Sequence, residues 1–269
     1  MVRPRALVLT GYGINCDRET QYAFEVAGAV AARVHVNDLI DRRDALSNYQ
    51  IVAIPGGFSY GDDIASGKVL ANRLKTHLAE EIEAFVQRGN LVIGICNGFQ
   101  VMVKYGLLGS GGSVSQRVQT VTLTYNDSGR YEDRWVHLSV ASPRCVFTRG
   151  IERLYLPVAH GEGKFYAEPA KLDALEARGL VALRYACEDG SPAAGRFPWN
   201  PNGSCNDIAA ICDSTGRIFG MMPHPERFVL ASNHPEWTFL KERARRRGGS
   251  LPQEGQGLQI FRNAVSFFE

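Results

Sequence analysis

The first hundred residues of this chain alternate short apolar, β-branched segments with longer amphipathic ones. This alternation is typical of βαβ units, in which parallel strands form a buried sheet and the connecting helices cover it. We therefore predict an α/β fold for this region. The predicted strands are 6–10, 32–36, 51–55 and 91–95, and the predicted helices are 17–27, 69–87 and 98–105.

The apolar pattern changes to a period of two between residues 119 and 141. Residues 121–124 and 136–140 flank a polar turn at 126–129, which predicts an antiparallel hairpin. The remaining predicted strands are 154–158, 181–185, 208–212 and 218–222, with helices at 170–178 and 258–268. The chain is thus expected to form a mixed, mainly parallel sheet with flanking helices and an antiparallel hairpin extension.

Composition limits the class of protein. At 269 residues the chain fits one domain, 1–269, and the charged, glycine-rich segment 241–256 is expected to be a surface excursion. A net charge of +2 is too small to predict nucleic-acid binding, and no apolar run is long enough to cross a membrane. The six cysteines form no Cys-x-x-Cys pair, which favours reduced thiols in the cytoplasm and no metal site.

A cysteine flanked by glycines follows the fourth predicted strand, in Gly94-Ile95-Cys96-Asn97-Gly98-Phe99-Gln100. A strand that turns sharply into a helix at such a position presents its side chain as a nucleophile elbow. The helix N-terminus stabilises a thiolate and offers N–H groups to a developing oxyanion. A cysteine at a strand end is often only a core residue, but core packing requires neither glycine. The spacing therefore favours Cys96 as a nucleophile.

His224 and Glu226 lie in Pro223-His224-Pro225-Glu226, directly after a predicted strand. Both prolines favour an extended backbone, in which side chains two residues apart point to the same side. We expect one ring nitrogen of His224 to face the thiol and Glu226 to hold the other nitrogen. The alternative is a pair of surface residues in a proline-rich loop. The cysteine elbow in the same chain favours the catalytic interpretation.

The glycines of Pro55-Gly56-Gly57-Phe58 end the third predicted strand. In a parallel sheet the carboxyl ends of neighbouring strands border one crevice, so this turn is expected beside Cys96. The amide of Gly57, together with the N–H of Asn97, then forms an oxyanion hole. Without the cysteine, an ordinary glycine-rich turn would be the preferred interpretation.

These motifs resemble the class I, triad-type glutamine amidotransferases, and within them the glutaminase subunits of phosphoribosylformylglycinamidine synthase. The resemblance spans nearly the whole chain and implies an α/β, flavodoxin-like fold. The runs that carry it are Asn15-Cys16-Asp17-Arg18-Glu19-Thr20, the segment 55–63 (Pro-Gly-Gly-Phe-Ser-Tyr-Gly-Asp-Asp), the segment 94–100, His160-Gly161-Glu162-Gly163, the segment 223–227 and Phe261-Arg262-Asn263-Ala264.

The resemblance implies a role for each matching residue. Cys96 is the expected nucleophile, His224 the acid and base, and Glu226 the orienting carboxylate. The expected substrate-binding residues are Gly57, Asn97, Gln100, His160 and Glu162. The implied activity is hydrolysis of glutamine to glutamate and ammonia through a cysteine thioester.

The chain contains no Gly-x-x-x-x-Gly-Lys-Ser/Thr phosphate loop, so ATP chemistry is expected on another subunit. The resemblance implies a synthetase partner that holds ATP and Mg²⁺, activates formylglycinamide ribonucleotide and receives the ammonia in purine biosynthesis. The presence of a further small subunit is left open. This chain itself is expected to bind glutamine and no cofactor.

Three other functions are compatible with parts of this sequence. Cysteine-elbow proteases and chaperones place a histidine directly after the nucleophile, whereas Asn97 follows Cys96 here. A non-catalytic binding subunit would not need all three triad residues. A glutaminase that feeds a different acceptor synthetase fits the same motifs, and only the identity of the partner separates it.

Overall fold

The computed structural model describes residues 3–41, 45–109 and 118–269 of the chain. Eleven β-strands are formed within these ranges. They are β1 (Arg5–Thr10), β2 (Val30–His35), β3 (Ile51–Ile54), β4 (Leu91–Ile95), β5 (Thr122–Thr124), β6 (Glu132–Val140), β7 (Arg153–His160), β8 (Lys164–Tyr166), β9 (Val181–Ala186), β10 (Ile208–Cys212) and β11 (Ile218–Met221).

Eight α-helices lie in the same described ranges. They are α1 (Asp17–Ala27), α2 (Val36–Asp41), α3 (Lys68–His77), α4 (Ala79–Gln87), α5 (Asn97–Tyr105), α6 (Pro169–Ala177), α7 (Trp237–Arg246) and α8 (Leu258–Ser266). Buried aromatic side chains join the helices nearest the chain ends, since Phe24 of α1 and Phe261 of α8 meet edge to face at 4.9 Å.

Nine strands form one sheet in the order β2-β1-β3-β4-β11-β10-β9-β6-β7. The pairs from β2 to β11 are parallel. Every residue of β4 is buried, so both faces of the sheet are covered at this strand, as parallel strands require. Ile54 pairs with Gly94, which places the carboxyl ends of β3 and β4 side by side.

The other half of the sheet is antiparallel, from β11 through β10, β9 and β6 to β7. Strand β11 is the boundary, because it runs parallel to β4 and antiparallel to β10. Met221 at its end pairs with Ile95 at the end of β4. The chain that follows β11 therefore emerges beside Cys96. The predicted α/β class with a mixed sheet is confirmed.

The single helix predicted at 69–87 is wrong, because the structure has two helices, α3 and α4, joined at Leu78. Leu78 has φ −132° and ψ 18°, outside the helical region, and its side chain is fully buried. The chain turns there to place this side chain in the core. Strand β2 also ends one residue early, since Val36 starts the short helix α2 that the sequence did not predict.

The region 121–141 is antiparallel as predicted, but the strand partners differ. Strand β5 pairs with β8, whereas β6 pairs with β7 and β9. The two predicted arms of the hairpin therefore do not pair with each other. Alternation with a period of two identifies a half-buried strand, but the partner is set by packing between segments that are distant in sequence.

Helix α7 buries none of its residues. The segment after it returns to the body of the protein, where Ala231 N donates to Gln253 O at 2.9 Å and Leu230 forms a bridge with Glu254. None of the helices in the described part of the chain has the length and apolar character needed to cross a bilayer.

Candidate active site

Cys96 lies between β4 and α5 in a backbone conformation that non-glycine residues rarely adopt. Its φ is +51° and its ψ is −106°, and only 5% of its surface is exposed. Its own N–H donates to Met221 O at 2.8 Å, and Gln100 N donates to its carbonyl at 3.1 Å. Strain of this kind costs of order 1–3 kcal/mol and persists where the surrounding structure enforces it. The elbow predicted from the glycine spacing is confirmed.

Close packing requires a glycine at position 98, two residues after Cys96. A Cβ on Gly98 would lie 1.8 Å from the carbonyl oxygen of Ile54, which is backbone of the neighbouring strand and cannot move aside. Helix α5 therefore approaches β3 closely, and this approach fixes the direction in which the helix leaves the elbow. The glycine spacing in the sequence has this steric origin.

His224 follows β11. A backbone hydrogen bond fixes its position, because its N–H donates to Pro157 O at 2.8 Å. Its Nδ1 lies 2.6 Å from Glu226 Oε1, and both side chains are almost completely buried. The extended backbone predicted for this stretch is wrong, since residues Pro225–Arg227 form a 3-10 turn. The turn still brings Glu226 back to the imidazole, so the predicted contact exists with a different local geometry.

The His224 imidazole and the Cys96 side chain both border Gly56. A Cβ at this glycine would lie 2.7 Å from Cε1 of His224 and 3.4 Å from Cβ of Cys96, so a larger residue would separate them. Burial lowers the pKa of His224, but the Glu226 carboxylate and the Cys96 sulfur outweigh burial and hold that pKa well above its ordinary value. The protonated imidazole is thus favoured beside Cys96.

A second sulfur lies against the same histidine. Cys16, His224 and Glu226 each have an atom that could bind a metal ion, and these three atoms lie within 4.8 Å of one another. Nη2 of Arg227 donates to Cys16 Sγ at 3.1 Å, so a guanidinium already occupies one side of this sulfur. Sequence reasoning missed this contact, although both residues belong to motifs that carry the family resemblance. A cation would have to compete with Arg227 for this site.

The peptide between Gly56 and Gly57 is held in one orientation. Its carbonyl accepts hydrogen bonds from Asn15 N at 3.3 Å and Cys16 N at 3.2 Å. Because C=O and N–H point in opposite directions across a trans peptide, the Gly57 N–H points away from these donors. Gly57 has φ +146° and borders the pocket that contains Cys96. Asn97 is the first residue of α5, so the N–H of Asn97 has no partner within the helix.

A pocket opens at Cys96 and encloses about 150 Å³. Of the predicted substrate-binding residues, Gly57, Gln100, His160 and Glu162 line it. Asn97 is buried and reaches Gln100, because its Nδ2 donates to Gln100 Oε1 at 2.9 Å. Gln100 Nε2 in turn donates to Glu162 O at 2.6 Å, which ties the pocket wall to α5.

Asp62, Ser66 and Tyr131 are among the lining residues that were not predicted. Asp62 follows Gly57 within the run 55–63, so its motif was recognised without a role. Tyr131 lies at the mouth of the pocket, with its ring centroid 6.3 Å from that of Phe58. Burial and then the Cys96 charge raise the pKa of Tyr131, which places its phenol within electrostatic range of the nucleophile.

His160 is part of the pocket wall, and its ring is held by amides. Its Nδ1 lies 3.0 Å from Asn126 Oδ1, and its Nε2 lies 3.4 Å from Nδ2 of Asn202. Burial, followed by the nearby His224 charge, lowers the pKa of His160 to about 3. His160 is therefore neutral at physiological pH.

The fold and this geometry define a class of α/β proteins that place a cysteine at a strand–helix elbow beside a histidine and a carboxylate. The particular family is also established. The chain belongs to the CobB/CobQ-like glutamine amidotransferase domain family, whose family model matches residues 3–268.

Several relatives resemble the chain over its whole length. It is 46% identical to a protein of Methanococcus maripaludis over 268 residues, covering 99% of this chain and 98% of that protein. A protein of Dehalococcoides mccartyi is 47% identical with the same coverage. Both are named phosphoribosylformylglycinamidine synthase subunit PurQ. The phosphoribosylformylglycinamidine synthase of Dictyostelium discoideum is 33% identical over 98% of this chain, which matches 20% of that longer protein.

Solved structures show the same architecture. A chain in the structure of PurLQS from Thermotoga maritima matches with a TM-score of 0.71 and 30% identity, covering all of both chains. A glutamine amidotransferase from Thermotoga maritima matches with a TM-score of 0.50 and 14% identity, covering 92% of this chain and 86% of that one. The second likeness concerns the fold alone.

Proposed function

We propose that this chain is the glutaminase component of phosphoribosylformylglycinamidine synthase. It hydrolyses glutamine to glutamate and ammonia, and an ATP-dependent synthetase subunit uses the ammonia in de novo purine biosynthesis. The observation that carries the proposal is that Cys96, in its strained elbow, borders the same glycine as a buried imidazole whose Nδ1 lies 2.6 Å from Glu226 Oε1.

In the first half of the reaction the Cys96 sulfur attacks the side-chain amide carbon of glutamine. A C–S bond forms, and the carbonyl electron pair moves to oxygen, where the N–H groups of Gly57 and Asn97 stabilise the charge. His224 then gives its proton to the nitrogen, and the C–N bond breaks. Ammonia leaves, and a glutamyl thioester remains on Cys96.

In the second half a water molecule attacks the thioester carbon and gives a proton to His224. The C–S bond breaks, glutamate is released and the sulfur is restored. Glu226 holds Nδ1 throughout, which orients the ring so that Nε2 faces the reacting groups. Consistent with this role, the Nε2 atom is buried and has no hydrogen-bond partner among the described residues.

The choice of synthetase rests on relatives of the chain. The full-length relatives named above are subunits of phosphoribosylformylglycinamidine synthase, and the Dictyostelium protein of that name contains a matching region within a longer polypeptide. These names support a separate synthetase subunit for this chain, to which we assign ATP, Mg²⁺ and formylglycinamide ribonucleotide. The free state of all six cysteines supports a cytoplasmic location.

The proposal is tested by comparing two nitrogen donors in the complex of this chain with its synthetase. Cys96→Ala should abolish glutamine-dependent synthesis of formylglycinamidine ribonucleotide and leave ammonia-dependent synthesis within about threefold of wild type. Cys205→Ala, which removes a partly exposed thiol, is the matched control and should retain both activities. Equal loss of glutamine-dependent and ammonia-dependent synthesis in Cys96→Ala would contradict the proposal that this chain supplies the ammonia and its partner carries out the synthesis.

The acceptor is tested separately. The chain is used to capture its synthetase from native extract, and the complex is supplied with glutamine, ATP and either formylglycinamide ribonucleotide or other amination acceptors. Product from formylglycinamide ribonucleotide alone supports the proposal. Turnover of a different acceptor would keep the glutaminase assignment and reject the purine assignment.

A further inference from the structure

The loop that follows β1 is bonded along its length to the loop that follows β3. Phe58 N donates to Gly13 O at 2.7 Å. Further along, Cys16 N donates to Gly56 O at 3.2 Å. The two loops therefore form one unit. This unit carries the peptide between Gly56 and Gly57, whose N–H we assign to the oxyanion hole and which is called the oxyanion peptide below.

The side chain of Cys16 connects this unit to the turn that carries the acid and base. Its thiol donates to Asn15 Oδ1 at 3.3 Å, and its sulfur accepts from Nη2 of Arg227 at 3.1 Å. Arg227 ends the 3-10 turn Pro225–Arg227, which also contains Glu226. Within the described ranges the Arg227 guanidinium makes no other hydrogen bond. One contact between sulfur and guanidinium thus joins the two loops to the acid–base turn.

We propose that Cys16 and Arg227 are a positioning pair, which holds the oxyanion peptide at a fixed distance from the His224 imidazole. This inference rests on the proposed glutaminase function and deepens it by assigning two positioning residues to the same site. Neither side chain lines the pocket at Cys96. Their contact acts through the backbone, because Cys16 N holds the carbonyl of the oxyanion peptide and Arg227 shares a turn with the orienting carboxylate.

The oxyanion peptide needs such support because a peptide between two glycines can change its orientation at little steric cost. On one side of it, Ser59 N donates to Asn97 Oδ1 at 3.1 Å, which ties the loop to α5. On the other side, Cys16 holds the peptide and is itself held against the acid–base turn. That turn is fixed to the sheet, because His224 N donates to Pro157 O at 2.8 Å. The contact therefore relates the position of the oxyanion peptide to that of the histidine.

Little space separates the groups that this contact relates. A Cβ at Gly56 would lie 3.3 Å from Cys16 Sγ and 2.7 Å from His224 Cε1, so the sulfur and the imidazole flank the glycine at which the oxyanion peptide begins. An oxyanion donor is effective at roughly 2.7–3.1 Å from the developing charge. A misplacement of about 1 Å can cost on the order of 100-fold in rate. A small movement of the loop should therefore slow turnover without closing the pocket.

An alternative role for the Cys16 sulfur is electrostatic. Burial lowers the pKa of His224, while Glu226 and then Cys96 raise it. Cys16 raises this pKa as well, but it contributes less than either of them. Loss of the Cys16 sulfur should therefore leave the protonated imidazole favoured. The two roles can be separated, because alkylation of Cys96 requires the thiolate beside the imidazole but forms no oxyanion.

The test compares a reaction that forms an oxyanion with one that does not. In the complex of this chain with its synthetase, glutamate formation from glutamine is measured, and alkylation of Cys96 by iodoacetamide is followed by mass spectrometry. Cys16→Ala should lower kcat and kcat/KM for glutamine equally, by about 10- to 100-fold, as for an interaction made in the transition state. The alkylation rate should stay within about threefold of wild type, since displacement at a saturated carbon uses no oxyanion hole.

Further variants examine the contact itself. Cys16→Ser keeps an acceptor for Arg227 and should keep kcat within about threefold of wild type. Arg227→Met removes the donor and should repeat the loss seen in Cys16→Ala. In the double variant the two losses should not multiply, because both substitutions break the same contact. Cys145→Ala, which removes a fully buried thiol that does not line the pocket, is the matched control and should leave kcat unchanged.

Equal losses of turnover and of alkylation in Cys16→Ala would show that the sulfur acts through the charge of His224, and would overturn the proposal. Cys16→Ser as slow as Cys16→Ala, or losses that multiply in the double variant, would overturn it as well. A wild-type complex that forms no glutamyl thioester from glutamine rejects the glutaminase function itself. Wild-type turnover together with full activity in Cys16→Ala rejects only the positioning pair.

Discussion

The surroundings of His224 and His160 differ, although the two side chains are equally buried, with 1% and 2% of their surfaces exposed. Both lie at or just after the end of a sheet strand, near the same pocket. Burial lowers the pKa of each ring. At His160 nothing opposes it strongly, and the pKa falls to about 3. At His224 the Glu226 carboxylate and the Cys96 sulfur reverse the direction.

The two histidines differ in their hydrogen-bond partners and not in how deeply they are buried. Neutral amides of Asn126 and Asn202 hold His160, and they satisfy the neutral ring without stabilising its charge. A buried carboxylate holds His224 and stabilises the protonated ring. This difference supports the role in proton transfer that we propose for His224 and not for His160. His160 fixes the pocket wall, and its predicted contact with substrate stays a prediction.

The largest effect should follow removal of the charged histidine. His224→Ala should lower kcat for glutamine hydrolysis about 1,000-fold, within the usual range for loss of general acid–base catalysis. His160→Gln should lower it less than about tenfold, because the neutral ring takes no part in proton transfer. Steady-state ammonia release measures both. A reversed order would mean that His160 is the acid and base.

Removing the carboxylate should make the environment of His224 resemble that of His160. Glu226→Gln removes the carboxylate charge that raises the pKa of His224 against the effect of burial. The pKa of His224 should therefore fall, and kcat should drop about 10- to 100-fold. Activity that needs the protonated ring is lost as pH rises through this pKa. The alkaline limb of the pH–rate profile should therefore move to lower pH in the variant. An unmoved limb would separate Glu226 from the protonation of His224.

The low pKa of His160 should appear as a loss of unfolding free energy at acidic pH. Its folded pKa lies below its unfolded value near 6.5, so the unfolded chain binds the proton first and stability falls as pH drops from 6.5 towards 3. At pH 5 this amounts to about 2 kcal/mol. Between pH 7 and pH 5, wild type should lose about that much more unfolding free energy than His160→Gln, by urea titration. Equal losses would show that His160 becomes protonated in the folded state.

The smallest effect is expected at His234, a partly exposed histidine that packs on Trp135 and Tyr155 and does not line the pocket at Cys96. Burial lowers its pKa. His234→Ala should cost about 1 kcal/mol of unfolding free energy or less and leave kcat within twofold of wild type. A larger loss of activity would indicate that the aromatic cluster around it contributes to the site.

Local sequence patterns determined much of this molecule. The helix at 17–27 and the strands at 91–95 and 208–212 have the predicted boundaries. The strained elbow at Cys96 was also predicted, because strand, turn and helix adjoin in the sequence and glycine is needed where backbones touch. The His224–Glu226 contact was foreseen as well, since the partners are two positions apart and several local conformations bring them together.

Tertiary structure alone decided the rest. The pairing of β5 with β8, the contact of Cys16 with Arg227 and the anchoring of Asp62 by Asn97 each join residues that are far apart along the chain. The low pKa of His160 has the same origin, because the burial that lowers it comes from the packing of distant segments. A residue's own sequence neighbourhood specifies its backbone preference, whereas its pKa and its partners depend on which distant groups the fold brings within a few ångströms.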